Sequence, residues 1–395
     1  MEVILVLYLL SGVIKGFFVY NSINTYVDIT FLFAFLIIIV YIFDLIKHNK
    51  ISQLFRVPNV VFLFLIFWGW MLFTLTYTKS DDYSFTKTLY FGTNLIPIYF
   101  FLVKSNDFNI RLFLRVFVLL QLAFVLIYFP YAFEYYKTWN PKLSDLTRMY
   151  LSLAENTGLV FLSLYLSREY IFSKLWDNIL KFISFLFLIG LSARGPLFFV
   201  LFIILIDWLI NFKGRISLKF NKRLFYFFSL VLVSVILISI VYWDLIFTLL
   251  KTSFFRIHIF FESIFSQTNM RDSSISMRFD LINKALSSIF SGWDTFIFGK
   301  GIGSFGIETF GVDSRIHPHN NIIEIIFELG FIGLIIYLLF FTILLAKTKI
   351  KYKYISYLII LYSILNILKS NSLIDIRVLL SFVVLNTLNS NKSCI

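Results

Sequence analysis

Two of the chain's four histidines fall in one short stretch, RIHPHNNIIEIIFELG at residues 315–330, where His317 and His319 flank Pro318 at the head of an apolar run. An imidazole titrates near neutrality, so at the entrance to a helix it can take the proton of a hydroxyl. It can equally cap the helix or pack, and the residues by themselves leave both readings open. His317 is the weaker candidate, as is His258 in an aromatic-rich segment. Pro318 biases the residue before it away from helix, and Asn320 suits the N-cap of the apolar helix beyond it. Glu324 and Glu328 are four residues apart and share a helix face below this entrance. They would either hydrogen-bond and orient His319 or pair with Arg315. Asp375 and Arg377 form a second candidate ion pair.

Four arginines stand at similar places. Arg148 precedes MYLSLAENTG, Arg194 sits in LSARGP just before an apolar run that Pro196 suits as a first turn, and Arg278 and Arg315 lie in the polar stretch before the histidines. Guanidinium forks beside the N–H groups of helix N-termini suit an anion, most simply a phosphate or pyrophosphate. Each arginine alone has a plainer reading, snorkelling to lipid headgroups.

The elements that must hold these residues are apolar helices. Hydrophobic residues make up 59% of the chain and charged residues 14%, which a soluble globular protein cannot hide. The net charge of +13 comes from short basic clusters between apolar runs, a membrane-loop pattern that excludes nucleic acid as partner and implies membrane lipid instead. The one cysteine, Cys394, rules out an intramolecular disulfide. The N-terminal run carries Glu2 where a signal peptide carries basic residues, and reads as a retained transmembrane helix. Apolar windows predict twelve transmembrane helices near 3–20, 29–46, 60–78, 86–103, 112–130, 149–167, 176–192, 196–211, 224–243, 321–346, 354–368 and 372–388. The expected fold is thus an all-α polytopic membrane protein with one large external loop.

Basic residues at 47–56, 104–111, 168–174, 213–223 and 347–353 put both termini in the cytoplasm. The expected organisation is transmembrane helices 1–9 over residues 1–243, a large periplasmic loop over 244–320, and helices 10–12 with a short cytoplasmic tail over 321–395. Within the loop, TSFFRIHIFFESIF and SMRFDLINKALSSIF have amphipathic periodicity suited to a membrane surface, and SGWDTFIFGKGIGSFG reads as a turn-bearing loop. Even-numbered helices then run inward, so their N-termini, led by Arg148, Arg194 and His319, converge on one outer cleft with Arg278 and Arg315.

At these residues the chain resembles the O-antigen ligase and O-antigen polymerase (Wzy-type) superfamily of bacterial membrane glycosyltransferases. LSARGPLFFV is similar to the family's serine–arginine turn opening a helix. RFDLINKAL followed by FGKGIGSFG is similar to the arginine-led helix and glycine loop of its periplasmic segment. HPHNNIIEIIFELGFIGL resembles the signature of histidine, asparagine, an aliphatic four residues on and glycine eleven on, here His319, Asn320, Ile323 and Gly330; the aliphatic is usually leucine. TRMYLSLAENTG is a looser match.

The resemblance implies a GT-C-like fold and a metal-independent enzyme with no cofactor. Its donor would be an oligosaccharide on undecaprenyl pyrophosphate, and transfer would take place at the periplasmic face of the bacterial inner membrane. His319 would be the catalytic base. Arg194 and Arg278, with Arg148 and Arg315, would bind the pyrophosphate, and Asn320, Glu324 and His317 would support them. A chain-length regulator protein is a candidate partner. The HPHN form and the compact loop favour a polymerase, which extends one lipid-linked repeat unit with another. A ligase, delivering the glycan to lipid A core, is the alternative. A flippase for the same lipids is more distant, because it calls for charges at the bilayer midplane and two repeated halves, and neither is visible here.

Overall fold

The computed structural model describes residues 1–20, 27–49, 57–103, 108–138, 149–167, 169–191, 193–211, 273–346, 353–370 and 372–388. The expected helix 224–243, the TSFFRIHIFFESIF segment with His258, and Arg148 lie outside these residues. Among the described residues every regular element is a helix. In chain order they are α1 (Glu2–Leu9), α2 (Ser11–Tyr20), α3 (Ile29–Lys47), α4 (Asn59–Thr74), α5 (Asp82–Gly92), α6 (Leu95–Val103), α7 (Ile110–Thr138) and α8 (Tyr150–Leu166). Then come α9 (Lys174–Gly190), α10 (Arg194–Asn211), α11 (Ser273–Ile289), α12 (Trp293–Phe298), α13 (Phe305–Phe310), α14 (Asn321–Ala346), α15 (Lys353–Ser370) and α16 (Arg377–Leu388).

Among the described residues, three helices are long and apolar enough to cross a membrane: Ile29–Lys47, Asn321–Ala346 and the Ile110–Tyr131 part of α7. The α1–α2 pair makes a fourth span if its two bent halves count as one.

Two stretches expected as single helices are broken. Residues 3–20 bend by 56° between α1 and α2. At that break Arg377 Nη1 donates to the Tyr8 carbonyl at 3.2 Å and to Ser11 Oγ at 2.7 Å, competing for a helix acceptor. Residues 86–103 divide after Gly92, and α5 begins earlier than expected. Pro97 has no N–H to give back to the Thr93 carbonyl, which instead accepts the Tyr8 hydroxyl at 2.8 Å. Conversely α7 continues past Pro130 to Thr138.

Near the centre stands α8, buried on every side from Leu153 to Leu164 and packed against α7, α9, α10 and α15. Because its buried residues include Glu155, Asn156, Thr157 and Ser163, their polar groups call for partners within the protein. Polar contacts fix its rotation: Gln121 Nε2 of α7 donates to the Leu153 carbonyl and to Thr157 Oγ1, at 3.0 and 3.2 Å. From α15 the Tyr362 hydroxyl donates to the Glu155 carbonyl at 3.0 Å.

The other organising helix is α14, which packs on α4, α11 and α12 and changes direction at Gly330, where φ is +70° and ψ −174°. This kink leaves three successive carbonyls without their helical donors, and all three are taken from outside. Lys300 N–H donates to Phe327 at 2.8 Å, Gly301 N–H to Glu328 at 2.9 Å, and Trp70 Nε1 to Leu329 at 2.9 Å. The donors require the 299–303 backbone to lie directly on α14, so a Cβ added at Gly299 would stand 2.5 Å from the Gly330 nitrogen. Only glycine suits both positions. The stretch expected as a turn-bearing loop has its glycine turn, with positive φ at Gly299, Gly301 and Gly303, set between two short helices, α12 and α13. The apolar face of α11, with Leu281, Ala285 and Ile289, packs with Phe305 and Phe327 into a small second core.

Candidate active site

The HPHN segment is a strained turn rather than the start of the helix. His319 has φ +53°, and among the described residues Asn49 is the only other non-glycine with positive φ. Left-handed backbone at a residue with a Cβ has a cost, and it persists only where the surroundings hold it. Here Asn320 ends the turn: its Oδ1 accepts from the Ile323 N–H at 3.1 Å and its carbonyl from the Glu324 N–H at 2.9 Å, capping α14. The His317 and His319 rings lie 4.5 Å apart, tilted by 56°. His317 Nδ1 is 3.4 Å from the Arg315 carbonyl.

Below the turn, Glu324 and Glu328 do neither of the two things expected of them. Both carboxylates close on Lys87 of α5, with Nζ 2.5 Å from Glu324 Oε1 and 2.7 Å from Glu328 Oε2, and all three side chains are fully buried. Glu324 also accepts from the Ser372 hydroxyl at 2.6 Å and from the Leu373 N–H at 3.1 Å. These bonds lock the first two turns of α14 to α5 and to the α15–α16 connection. Glu324 thus positions the histidine turn through the backbone. Arg315 pairs instead with Asp375, so the expected Asp375–Arg377 pair does not form. Arg377 turns to Tyr8 and Ser11, its guanidinium carbon 4.8 Å above the Tyr8 ring.

The turn is also held from its N-terminal side. Asp313 accepts from the Ser80 hydroxyl at 2.6 Å and from the N–H groups of Asp82 and Tyr83 at 3.0 and 3.3 Å, an anion on the N-terminus of α5. Burial works against its charge, but the Ser80 hydroxyl and these backbone N–H groups hold the carboxyl below its ordinary range.

A group of cations gathers at the first turn of α10. Arg194 opens that helix, and Lys369, from the last turn of α15, reaches into it so closely that a Cβ on Gly195 would fall on the ammonium. The Lys369 charge acts on Arg278 of α11, on Arg194 and on Glu155 of α8. Two of the expected anion-binding residues, Arg194 and Arg278, therefore share one neighbourhood. Arg315 is engaged with Asp375.

This group and the histidine turn are joined by chain. Lys369 is three residues from Ser372, a reach of at most about 11 Å, and Ser372 holds Glu324 in the first turn of α14. The α15–α16 connection therefore serves both places: Lys369 faces the arginines, Ser372 and Leu373 bind Glu324, and Asp375 binds Arg315.

Sequence reasoning missed Lys87, Lys369 and Glu155. Lys87 and Lys369 each stood at the edge of an apolar window, where a basic residue reads as a boundary. The criterion that singled out the arginines, a cation kept at a helix end, applied equally to Lys369.

No curated protein matches the chain. Its residues 179–338 match the family model described as O-antigen ligase (Wzy_C), a stretch that includes Arg194, Arg278, the glycine turn and the histidine segment. That segment is thus similar to the O-antigen ligase family, and together with the apolar helices it fits an integral membrane protein.

Proposed function

We propose that the protein is a surface-polysaccharide (O-antigen) polymerase that moves a glycan from undecaprenyl pyrophosphate onto the sugar of another lipid-linked repeat unit, at the periplasmic face of the inner membrane. The observation that supports this reading is that Arg194, at the first turn of α10, and Arg278 both act on the charge of Lys369, which stands beside the connection that anchors the histidine turn. The leaving group of such a transfer is a lipid diphosphate, and cations aimed at the charge it develops lower the barrier most.

In this scheme His319 takes the proton of the acceptor hydroxyl. The freed oxygen attacks the anomeric carbon of the donor, and the bond from that carbon to the diphosphate breaks. The electron pair leaves on the diphosphate, which the guanidinium groups grip in bidentate fashion. The growing chain ends on the acceptor unit. Neither a metal nor a cofactor enters the scheme. Arg148 and Arg315 have secondary places in it, and His317, whose tilted ring lies 4.5 Å from that of His319, supports the base. A chain-length regulator would act on this enzyme from outside the site. Twelve spans with both termini cytoplasmic would put the site on the outer side.

The polymerase branch is favoured by the HPHN form of the motif and the compact 244–320 segment. The ligase reading differs only in acceptor. Purified protein in bilayers, given lipid-linked repeat units, decides the matter. Ladders of longer carrier-linked glycan are expected; transfer only to lipid A core would replace polymerase by ligase, and translocation without a new bond would end the glycosyltransferase reading.

A further inference from the structure

Along α14 the surroundings change at Gly330. No side chain from Asn321 to Gly330 is exposed, since α4, α11 and α12 pack around this part, whereas from Phe331 onward Phe331, Ile335, Leu338 and Leu339 face outward. The neighbouring α4 runs antiparallel to α14: Phe64 meets Phe340, Phe67 meets Tyr337, and Trp70 bonds to the Leu329 carbonyl. Its outward apolar residues end at the same height, with Leu72 and Phe73.

At that height the aromatic side chains form one band. Trp70 stacks on Phe73 at 5.3 Å and lies 6.4 Å from Phe298, whose carbonyl accepts the Tyr77 hydroxyl at 2.7 Å. Farther along, Phe296 stacks on Phe331 at 5.5 Å and on Phe290 at 6.0 Å, and Trp293 stands edge-on to it at 6.4 Å. The band ends in the two most exposed large apolar side chains among the described residues, Phe290 at 71% and Trp293 at 81%. Tryptophan and tyrosine favour the boundary between lipid and water, and this apolar patch is continuous with the outward faces of two helices of the bundle.

We infer that α12, with Phe290 just ahead of it, is an interfacial anchor whose partner is the lipid surface on the side from which α14 starts. The helix whose periodicity suggested that place, α11, turns its apolar face to Phe305 and Phe327 instead. The dimensions agree. Residues 331–346 extend about 24 Å, somewhat short of the ~30 Å hydrocarbon core, so the edge of the core lies beyond Gly330 and takes in the rings of α12. Asp294, exposed beside Trp293, keeps the helix from sinking deeper. Because Lys300 and Gly301 bond to carbonyls of α14, the depth of α12 also sets the height of the histidine turn. That turn stands about 15 Å beyond Gly330, at the outer limit of the headgroup layer. The inference rests on α14 as a membrane span and not on the reaction.

The test uses the full chain in nanodiscs. Cys394, the one cysteine, is replaced by Cys394→Ser, and a bimane label is placed at one position at a time by Trp293→Cys, Ile297→Cys, Leu338→Cys or Val312→Cys. All four side chains are exposed, so the label is tolerated, and the unfolding temperature of each labelled protein checks this. Labels at 293 and 297 should be quenched by a phosphatidylcholine with its nitroxide high on the acyl chain and spared by aqueous iodide. The label at 338 should respond to a deep nitroxide, and that at 312 to iodide. Adding Trp293→Glu should raise iodide quenching at 297 and leave 338 unchanged. Iodide quenching at 293 and 297 equal to that at 312 overturns the anchor. Quenching by neither reagent places protein rather than lipid on the patch and overturns it too, as does a 297 signal indifferent to Trp293→Glu. Iodide access at 338 would remove the spanning reading of α14 and this inference with it.

Discussion

Lys87 Nζ lies 2.5 Å from Glu324 Oε1 with neither side chain exposed to solvent, which ties α5 to the first turn of α14 directly beneath the histidine segment. A second carboxylate, Glu328, shares the same ammonium. Charges in a helix of membrane-spanning length persist only where they are paired, and they mark functional regions.

Removing the ammonium should therefore be severe. Lys87→Met leaves two carboxylates buried without their cation, and breaking a buried pair from one side costs about 3–5 kcal/mol. Unfolding in detergent followed by temperature should show a large drop in midpoint. Adding Glu328→Gln to Lys87→Met should recover part of that loss, since one of the stranded charges is gone. An unchanged midpoint for Lys87→Met would show that the triad carries no stability.

The two glycines 330 and 311 separate steric from conformational cost. Both have φ +70°, but a Cβ at Gly311 meets nothing within 4 Å, whereas at Gly330 it would run into the Ile297 carbonyl. Gly311→Ala should lose about 1 kcal/mol, the ordinary left-handed penalty. Gly330→Ala should lose clearly more, because its ψ of −174° puts it in a region that is essentially glycine-only. The added Cβ would also push the 297–301 backbone off the kinked carbonyls. Equal midpoints for the two variants in thermal unfolding would refute the backbone contact between Gly330 and the glycine turn.

The glycine eleven residues after His319 thus has a physical meaning that its spacing alone did not reveal. Hydropathy windows located α3, α7 and α14, because a span needs a long apolar run and these three supply one. They failed where a single long-range bond decides local structure. The α1–α2 bend turns on Arg377, which is 369 residues from the Tyr8 carbonyl it binds. The partners of Glu324 were equally hidden: Lys87 and Ser372 are remote in sequence, and a carboxylate four residues from another reads first as a local pair. Arg194 could be singled out because an arginine at the start of a helix is a local pattern, whereas Arg278, expected to lead its helix, lies inside α11. The convergence of Lys369 with them depends on how α10, α11 and α15 pack, which no local pattern encodes.

Asp313 gives a dependence on pH whose sign is fixed. Its folded-state pKa is depressed, so its contribution is complete above the ordinary carboxylate value and is lost as pH falls through the lower folded value. The segment leading to the histidine turn should stay fastened to α5 through the neutral range and loosen only in acid. Amide exchange at Asp82 and Tyr83, corrected for intrinsic rates, should lose protection below about pH 4. Asp313→Asn should show that loss already at neutral pH. Full protection in the Asn variant would mean that Ser80 and the α5 N-terminus find another acceptor.

The sharpest prediction concerns His319, where role and backbone must be separated. Alanine would remove the ring and also strain a left-handed residue, so a loss of activity would be ambiguous. Asparagine tolerates positive φ best among residues with a side chain, and it keeps a polar group without a base. His319→Asn should leave thermal unfolding and membrane insertion intact while lowering the transfer rate by about 10²–10⁴-fold, the usual contribution of a general base. The same variant should bind donor as wild type does, since the cations at α10 are untouched. Arg194→Lys should do the reverse, weakening donor binding because the point charge survives but the fork is lost. Near-normal transfer by His319→Asn would remove this histidine from the chemistry and leave the turn as a structural cap.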